Sequence, residues 1–147
     1  MTQRFEPAKL IPEGYKAMYG LHKQVQSSGL GLALLELVRL RVSQINGCAY
    51  CIAMHVPLGR EHGLTEHQVN LTAAWKDAPV FSARERAALA WAEAVTVLEG
   101  REVSDAAYAT VSAEFSAEEV AQLTLAVCEI NTWNRLSIAA RLTPVLA

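Results

Sequence analysis

The sequence predicts an all-α protein of about seven helices, folded as one domain over residues 1–147. Three observations support this prediction. Apolar residues recur at helical spacing along most of the chain, and no segment shows the sustained apolar and polar alternation of a strand. Capping signals separate the periodic segments from one another. A chain of 147 residues is also long enough to bury a core without disulfide bonds.

The first two predicted helices differ in how much of their surface is apolar. Residues 13–28 have apolar or aromatic side chains at close to helical period, and Pro12 precedes and Gly29 follows this segment. Residues 32–45 are apolar on almost every side, which is typical of a helix buried in a core or an interface. This second helix should end at Asn46 and Gly47, because this pair suits a helix C-cap.

Two further helices are predicted, one on each side of Gly63. Residues 48–62 continue as a third helix, in which Pro57 is expected to cause a kink or to mark the weakest point. Thr65 then precedes a short fourth helix over residues 66–75.

The last three helices are predicted over residues 83–99, 105–115 and 117–141. The first and last of them open with capping boxes, in which a serine is followed three residues later by glutamate. These boxes are Ser82 with Glu85 and Ser116 with Glu119.

Charge and composition exclude several classes of partner. The chain has 13 basic and 15 acidic residues, a net charge of -2, and no long run of like charge, which disfavours nucleic acid or an anionic membrane. We read no signal peptide and no membrane span, so we expect a cytoplasmic protein. Hydrophobic residues make up 52% of the chain, which points to buried subunit contacts in a homo-oligomer.

The segment "NGCAYCIAMH", residues 46–55, contains the most informative chemistry. At 100° per residue, Cys48, Cys51 and His55 fall within roughly a 60° arc of one helix face, so that all three can serve one site. Both cysteines lie in the first helical turn, where free backbone N–H groups and the helix dipole stabilise a thiolate. His55 could accept the proton of Cys51 or hold it in an ion pair.

Glu36 is the expected partner of this face from the preceding helix. If the two helices form a hairpin about Asn46 and Gly47, equal counting sets Glu36 within about one turn of His55. As a lone carboxylate in an apolar stretch, Glu36 is expected to have a raised pKa and to pass a proton. The alternative is that Glu36 pairs with Arg39 or Arg41 at a protein interface.

Several other kinds of site were weighed for the cysteine pair. A thioredoxin-like centre requires a preceding strand and a βαβ pattern, which the sequence lacks. A zinc site built from Cys48, Cys51, His55 and Glu36 is chemically possible, but ligands at i, i+3 and i+7 of a straight helix spread over roughly 10 Å. Two buried structural thiols are the remaining alternative. We expect no metal and no cofactor.

The spacing of Glu36, Cys48, Cys51 and His55 resembles the active-site motif of the AhpD-like alkylhydroperoxidases, in the carboxymuconolactone decarboxylase superfamily. Eleven residues separate the glutamate from the first cysteine, and the cysteines and histidine follow as Cys-x-x-Cys-x-x-x-His. The flanking "LLELVRLRVSQINGCAYCIAMH" and the later "EINTWNRLSIAAR" are also similar to that family. The resemblance covers most of the chain.

This resemblance implies an all-α homo-oligomer, a trimer or hexamer, that reduces organic hydroperoxides. It implies that Cys51 is the peroxidatic cysteine, that Cys48 resolves the sulfenic acid as a disulfide, and that Glu36 and His55 relay protons. An external dithiol reductant would then reopen the disulfide. Tyr50 departs from the histidine found between the cysteines of well-known members, and a phenol is a poor base at pH 7. The alternative function is a redox-sensing or disulfide-exchange protein of the same fold.

The remaining histidine, cysteine and tryptophan residues are interpreted as structural. Cys128 lies in an apolar segment and is expected in the core. His22 and His67 are expected to be solvated, while His62 suits the end of a helix dipole. The tryptophans are expected to be core or interface anchors rather than walls of a substrate pocket: Trp75, Trp91 and Trp133. Asn131, Asn134 and Arg135 are expected to order the subunit packing.

Overall fold

The computed structural model describes residues 2–144, and within this range the chain forms eight α-helices and no strand. The helices are α1 (Pro7–Leu10), α2 (Pro12–Gln26), α3 (Leu32–Asn46), α4 (Ala49–Glu61), α5 (Glu66–Leu71), α6 (Ala83–Val97), α7 (Asp105–Ser112) and α8 (Ala117–Ala140). Two 3₁₀ turns, Thr72–Ala74 and Glu99–Arg101, follow α5 and α6. The all-α prediction is confirmed.

The structure differs from the predicted helices in three places. A short additional helix, α1, begins at Pro7, a residue whose fixed φ suits the first helical position. The fourth predicted helix ends as an α-helix at Leu71 and continues as a 3₁₀ turn. The helix α7 ends at Ser112, whereas the prediction extended it to residue 115. The helix α4, from Ala49 to Glu61, continues through Pro57 as the third predicted helix does.

The helix α3 occupies the centre of the fold and packs against α4, α6 and α8. Its apolar side chains enter two separate core clusters, one shared with α6, α7 and α8 and the other with α5 and α6. The sequence pattern predicted this burial on nearly every side. Two charged residues of α3, Glu36 and Arg39, are buried together with the apolar ones.

The turn between α3 and α4 sets the position of the cysteines. Gly47 adopts φ 69°, the left-handed conformation that glycine tolerates best, and ends α3 as predicted. The amide of Cys48 then donates to the carbonyl of Ser43 at 3.0 Å. The chain therefore reverses immediately, and α4 starts antiparallel to and beside α3 with Cys48 as its N-cap residue.

A partly buried network of asparagine side chains ties this turn to α8. Asn46 donates to Asn131 at 3.0 Å and to Asn134 at 2.9 Å, and Asn134 donates to Ser43 Oγ at 3.0 Å. Asn131 and Asn134 thus order the packing of α8 against the α3–α4 turn within one chain, while their expected part in subunit packing stays a prediction. Arg135 also bonds inside α8, to the carbonyl of Asn131. The network holds the cysteine turn against the longest helix.

In the part of the chain that the structure describes, no helix combines the length and apolar character needed to cross a membrane.

Candidate active site

Cys48 and Cys51 form a disulfide at the start of α4. Their Cα atoms are 5.3 Å apart, and the Cys51 amide donates to the Cys48 sulfur at 3.3 Å. Both side chains are buried, with 2% and 1% of their surface exposed. In the reduced protein the same N-terminal turn would favour a thiolate, because its backbone N–H groups lack intrahelical partners.

His55 lies one turn after Cys51 and is held by Glu36. The two side chains meet at 2.7 Å, between Nδ1 of the imidazole and Oε2 of the carboxylate. An ionised carboxylate only accepts, so the shared proton is carried on Nδ1. The other ring nitrogen, Nε2, is buried and has no hydrogen-bond partner among residues 2–144. It is therefore available to a group that enters the site.

The structure brings together all four residues singled out in the sequence. Counting residues back from the turn predicted that Glu36 of α3 faces His55 of α4, and the contact between them has this geometry. The cysteines and His55 share one face of α4, as their spacing indicated.

Glu36 also pairs with Arg39, which changes the expected titration of its carboxyl. Arg39 is fully buried and donates from Nη1 to Glu36 Oε1 at 2.8 Å. Burial raises the pKa of Glu36, but the hydrogen bond with His55 and the charge of Arg39 outweigh it and hold the pKa below its usual range. The expectation of a raised pKa is wrong because Glu36 is not a lone carboxylate.

Glu129 of α8 and His22 of α2 extend this cluster, and sequence reasoning missed both. Arg39 Nε donates to Glu129 Oε2 at 3.2 Å, and His22 Nδ1 lies 2.9 Å from Glu129 Oε1. Burial raises the pKa of Glu129, while the hydrogen bond from His22 and the charge of Arg39 lower it by more, so that the pKa is depressed overall. An isolated glutamate in the apolar segment "LAVCEIN" was the available signal.

A small pocket of about 150 Å³ opens onto Cys51 and His55. Cys51 lines it, and Cys48 does not. Its walls are mainly aromatic and aliphatic side chains from the three helices α2, α4 and α8: Tyr15, Tyr19, Tyr50, Met54, Leu58, Trp133 and Leu136. The pocket therefore presents one sulfur of the pair and one imidazole to a ligand that is largely apolar.

The structure corrects the interpretations of His22 and Cys128 and adds a second role for Trp133. Trp75 and Trp91 are buried as predicted. Trp133 packs against the core, as predicted, but it also lines the pocket and stacks edge-on with Tyr15. His22 is not simply solvated, because it is hydrogen-bonded to Glu129. Cys128 is an exposed free thiol on α8 rather than a core residue, because the helix turns it away from the packed face that Ala126 and Val127 occupy.

Within residues 2–144, no group of three or more His, Cys, Asp or Glu side chains converges on a point where it could hold an ion. The cysteine sulfurs are bonded to each other, and His55 uses one nitrogen for Glu36.

The depressed pKa values of Glu36 and Glu129 predict loss of stability in acid. Their stabilising effect is fully present above the unfolded carboxyl pKa of about 4.3, and is lost as the pH falls through the lower folded values. The urea midpoint should therefore fall between about pH 4.5 and pH 3. In Glu36→Gln the fall should be smaller, because one titrating group is absent. A wild-type midpoint that stays constant over this range would contradict the prediction.

Comparison with known proteins places the chain in a family. Residues 12–94 match the carboxymuconolactone decarboxylase family. YdfG of Bacillus subtilis, an uncharacterized protein, is 37% identical over 139 residues, which is 95% of this chain and 95% of YdfG.

Solved structures share the fold closely. ATU0492 from Agrobacterium tumefaciens, a protein of unknown function with a suggested role as the antioxidant defence protein AhpD, superposes with a TM-score of 0.96 at 42% identity. The match covers 99% of this chain and 100% of that one. The debrominase Bmp8 has a TM-score of 0.82 at 18% identity, covering 91% of this chain and 72% of that one, which shows likeness of fold alone. Together with the matched residues 12–94, these likenesses show that the protein belongs to the carboxymuconolactone decarboxylase family and has the AhpD-like fold.

Proposed function

We propose that the protein is a thiol-dependent peroxidase that reduces organic hydroperoxides through Cys51 and Cys48. The observation that supports this most directly is that Cys51 and the unpartnered Nε2 of His55 share one apolar pocket, with Cys48 within disulfide distance behind it. The fold alone does not decide the chemistry, since a debrominase also has it. The proposed chemistry therefore rests on the residues of the site.

In the proposed first step, the Cys51 thiolate attacks the terminal oxygen of the hydroperoxide. The O–O bond breaks, Cys51 becomes a sulfenic acid, and the leaving alkoxide takes a proton to become the alcohol. His55 Nε2 is suited to receive the thiol proton and to return it to the alkoxide, because Nδ1 is held by Glu36. Glu36 keeps the ring oriented and stabilises its protonated form.

In the second step, the Cys48 thiol attacks the sulfenic sulfur, and water leaves as the disulfide forms. An external dithiol then reduces this disulfide to complete the cycle, and is itself oxidised to a disulfide. Cys48 suits the resolving role because it is the N-cap residue one turn before Cys51 and does not line the pocket. Tyr50, which lies between the two cysteines in the sequence, also lines the pocket, and its phenol is able to donate a hydrogen bond to a bound hydroperoxide.

The pocket supports an organic substrate over hydrogen peroxide. Its wall is largely aromatic and aliphatic, and apolar surface of this kind gains free energy by covering an alkyl or aryl group. A homo-oligomer, trimer or hexamer, also belongs to this proposal. It would bury some of the exposed apolar residues near the pocket mouth, such as Tyr19 and Met54.

The test uses the Cys128→Ser protein, because the exposed third thiol would otherwise react as well. The fully reduced protein is mixed with tert-butyl hydroperoxide in a stopped-flow instrument, and free thiols and bound zinc are measured on the same sample. We expect rapid loss of two thiols per chain, recovery with dithiothreitol, and repeated turnover when both reagents are in excess.

Two outcomes would contradict the proposal. A disulfide that forms and reopens, with no turnover in excess hydroperoxide and dithiol, would indicate the redox-sensing or disulfide-exchange alternative. Stoichiometric zinc with thiols that resist hydroperoxide would make the motif a metal site.

A further inference from the structure

Five side chains form an unbroken series of contacts beneath the pocket, which we call the buried relay. In order they are His55, Glu36, Arg39, Glu129 and His22, and successive polar atoms are 2.7, 2.8, 3.2 and 2.9 Å apart. Arg39 stands at the centre, and on each side of it comes a carboxylate and then a histidine. Both histidines line the pocket that contains Cys51.

The two histidines are held in the same way. His22 Nδ1 lies 2.9 Å from Glu129 Oε1 and 3.3 Å from Arg39 Nη2. Arg39 only donates and an ionised Glu129 only accepts, so the stronger contact is satisfied when His22 Nδ1 carries a proton and donates it to Glu129. His55 has the equivalent arrangement with Glu36. In each ring, Nε2 is therefore the atom that gains or loses a proton.

The charges of the buried relay make these two proton sites interdependent. With both imidazoles neutral, two carboxylates and one guanidinium leave a net charge of -1 on the relay. One added proton brings the sum to zero, and a second makes the relay positive. Because Arg39 and both carboxylates are buried, solvent ions screen these interactions weakly. A proton on one histidine therefore disfavours a proton on the other.

The exposures of the two histidines differ. The side chain of His22 is 28% exposed, whereas that of His55 is 4% exposed. His22 can thus exchange protons with solvent near the pocket mouth, where Tyr19 packs edge-on against its ring. His55 lies at the inner end of the relay, one turn from Cys51.

We propose that His22 is a second acid–base residue of the pocket, held by Glu129 and coupled through Arg39 to Glu36 and His55, so that its protonation state sets the reactivity of Cys51. Its role in turnover rests on the proposed peroxidase function, while the coupling does not. The titratable and charged groups that face the pocket or the relay come from every helix packed there: Tyr15, Tyr19 and His22 of α2, Glu36 and Arg39 of α3, Tyr50, Cys51 and His55 of α4 with its C-cap His62, and Glu129 of α8.

The experiment reads the reactivity of Cys51 without any hydroperoxide. In the Cys48→Ser, Cys128→Ser background, Cys51 is the only thiol, and its alkylation rate with iodoacetamide is measured from pH 5 to pH 9. Glu129→Gln removes a negative charge, and should lower the midpoint of this profile by about 0.5 unit, about a threefold faster reaction below the midpoint.

His22→Asn should shift the midpoint of the alkylation profile in the opposite direction. Asparagine keeps an N–H donor for Glu129 but cannot become a cation, so that the midpoint should rise by a similar amount. His67→Asn is the matched control, because this exposed histidine of α5 lies outside the relay and should leave the midpoint unchanged. Midpoints of Glu129→Gln and His22→Asn that equal that of the background would overturn the inference. So would shifts of the same sign, which indicate loosened packing.

A second measurement needs no variant. In the wild-type protein, the imidazole NMR signals of His22 and His55 are followed from pH 4.5 to pH 8.5. Coupling predicts that each signal moves in two steps, one coinciding with titration of the other ring. Two independent single steps would refute the coupling. An inactive protein with coupled rings would refute only the peroxidase, and an active protein with independent rings would refute only this inference.

Discussion

Cys51→Ser is expected to abolish hydroperoxide reduction, with a loss of at least about 10³-fold in rate, because serine provides no thiolate to attack the peroxide. Cys51 is the sulfur that lines the pocket, so no other residue of the pair can take over the attack. The measurement is consumption of tert-butyl hydroperoxide with excess dithiol, with circular dichroism to verify the fold. Substantial remaining activity would contradict the assignment of Cys51.

Cys48→Ser separates the two chemical steps of the proposed reaction, oxidation of Cys51 and closure of the disulfide. In the absence of added thiol, Cys51 should still react once, giving about one equivalent of alcohol, but the sulfenic acid has no thiol partner and persists or oxidises further. Trapping with dimedone and mass spectrometry would detect it on Cys51. Cys128→Ser is the control and should behave as the wild type, because this thiol is exposed on α8 and does not line the pocket. A Cys48→Ser protein that turns over with dithiol as fast as the wild type would exclude the resolving role.

Arg39→Met is expected to cost about 3–5 kcal/mol in the free energy of unfolding. Arg39 is fully buried between Glu36 and Glu129, and its removal leaves two carboxylates in the core without their cation. Methionine fills most of the volume, so the loss arises mainly from uncompensated charge. Urea unfolding at pH 7 measures it.

Arg41→Met is the matched control for this prediction. Arg41 lies two residues further along α3 and pairs with Glu93, but both side chains are partly exposed and Lys76 remains as a second partner. Its loss should cost on the order of 1 kcal/mol. Adding Glu36→Gln and Glu129→Gln to Arg39→Met should recover part of the stability, since the unpaired charges are then absent. A loss for Arg39→Met as small as that of Arg41→Met would show that the buried charges are not compensated by Arg39.

Local sequence signals predicted the helices and the part of the candidate site that α3 and α4 contribute. Helical spacing puts Cys48, Cys51 and His55 on one face of α4. The turn at Asn46 and Gly47 makes α4 run back beside α3. From these two facts alone, Glu36 could be expected to reach His55, and the hydrogen bond of 2.7 Å agrees. Such contacts are predictable because they depend on periodicity and on a tight turn between neighbouring segments.

The positions of Cys128 and Trp133 could not be predicted from periodicity and turns. The exposure of Cys128 depends on which face of α8 packs against the core, and the hydrophobic pattern of α8 is apolar over too much of its circumference to indicate a face. Trp133 was equally ambiguous for the same reason, and the structure assigns it to the pocket wall.

The sequence by itself determined the helical class, the reversal at Gly47 and the grouping of Glu36, Cys48, Cys51 and His55, because these follow from local geometry. Only the tertiary structure decided that Arg39 also joins Glu36 to Glu129 and His22, since Glu129 lies 90 residues from Arg39 and 107 residues from His22 in the chain. This packing also reversed the expected pKa of Glu36, because the charge that compensates a buried carboxylate depends on which side chains meet it in the folded core.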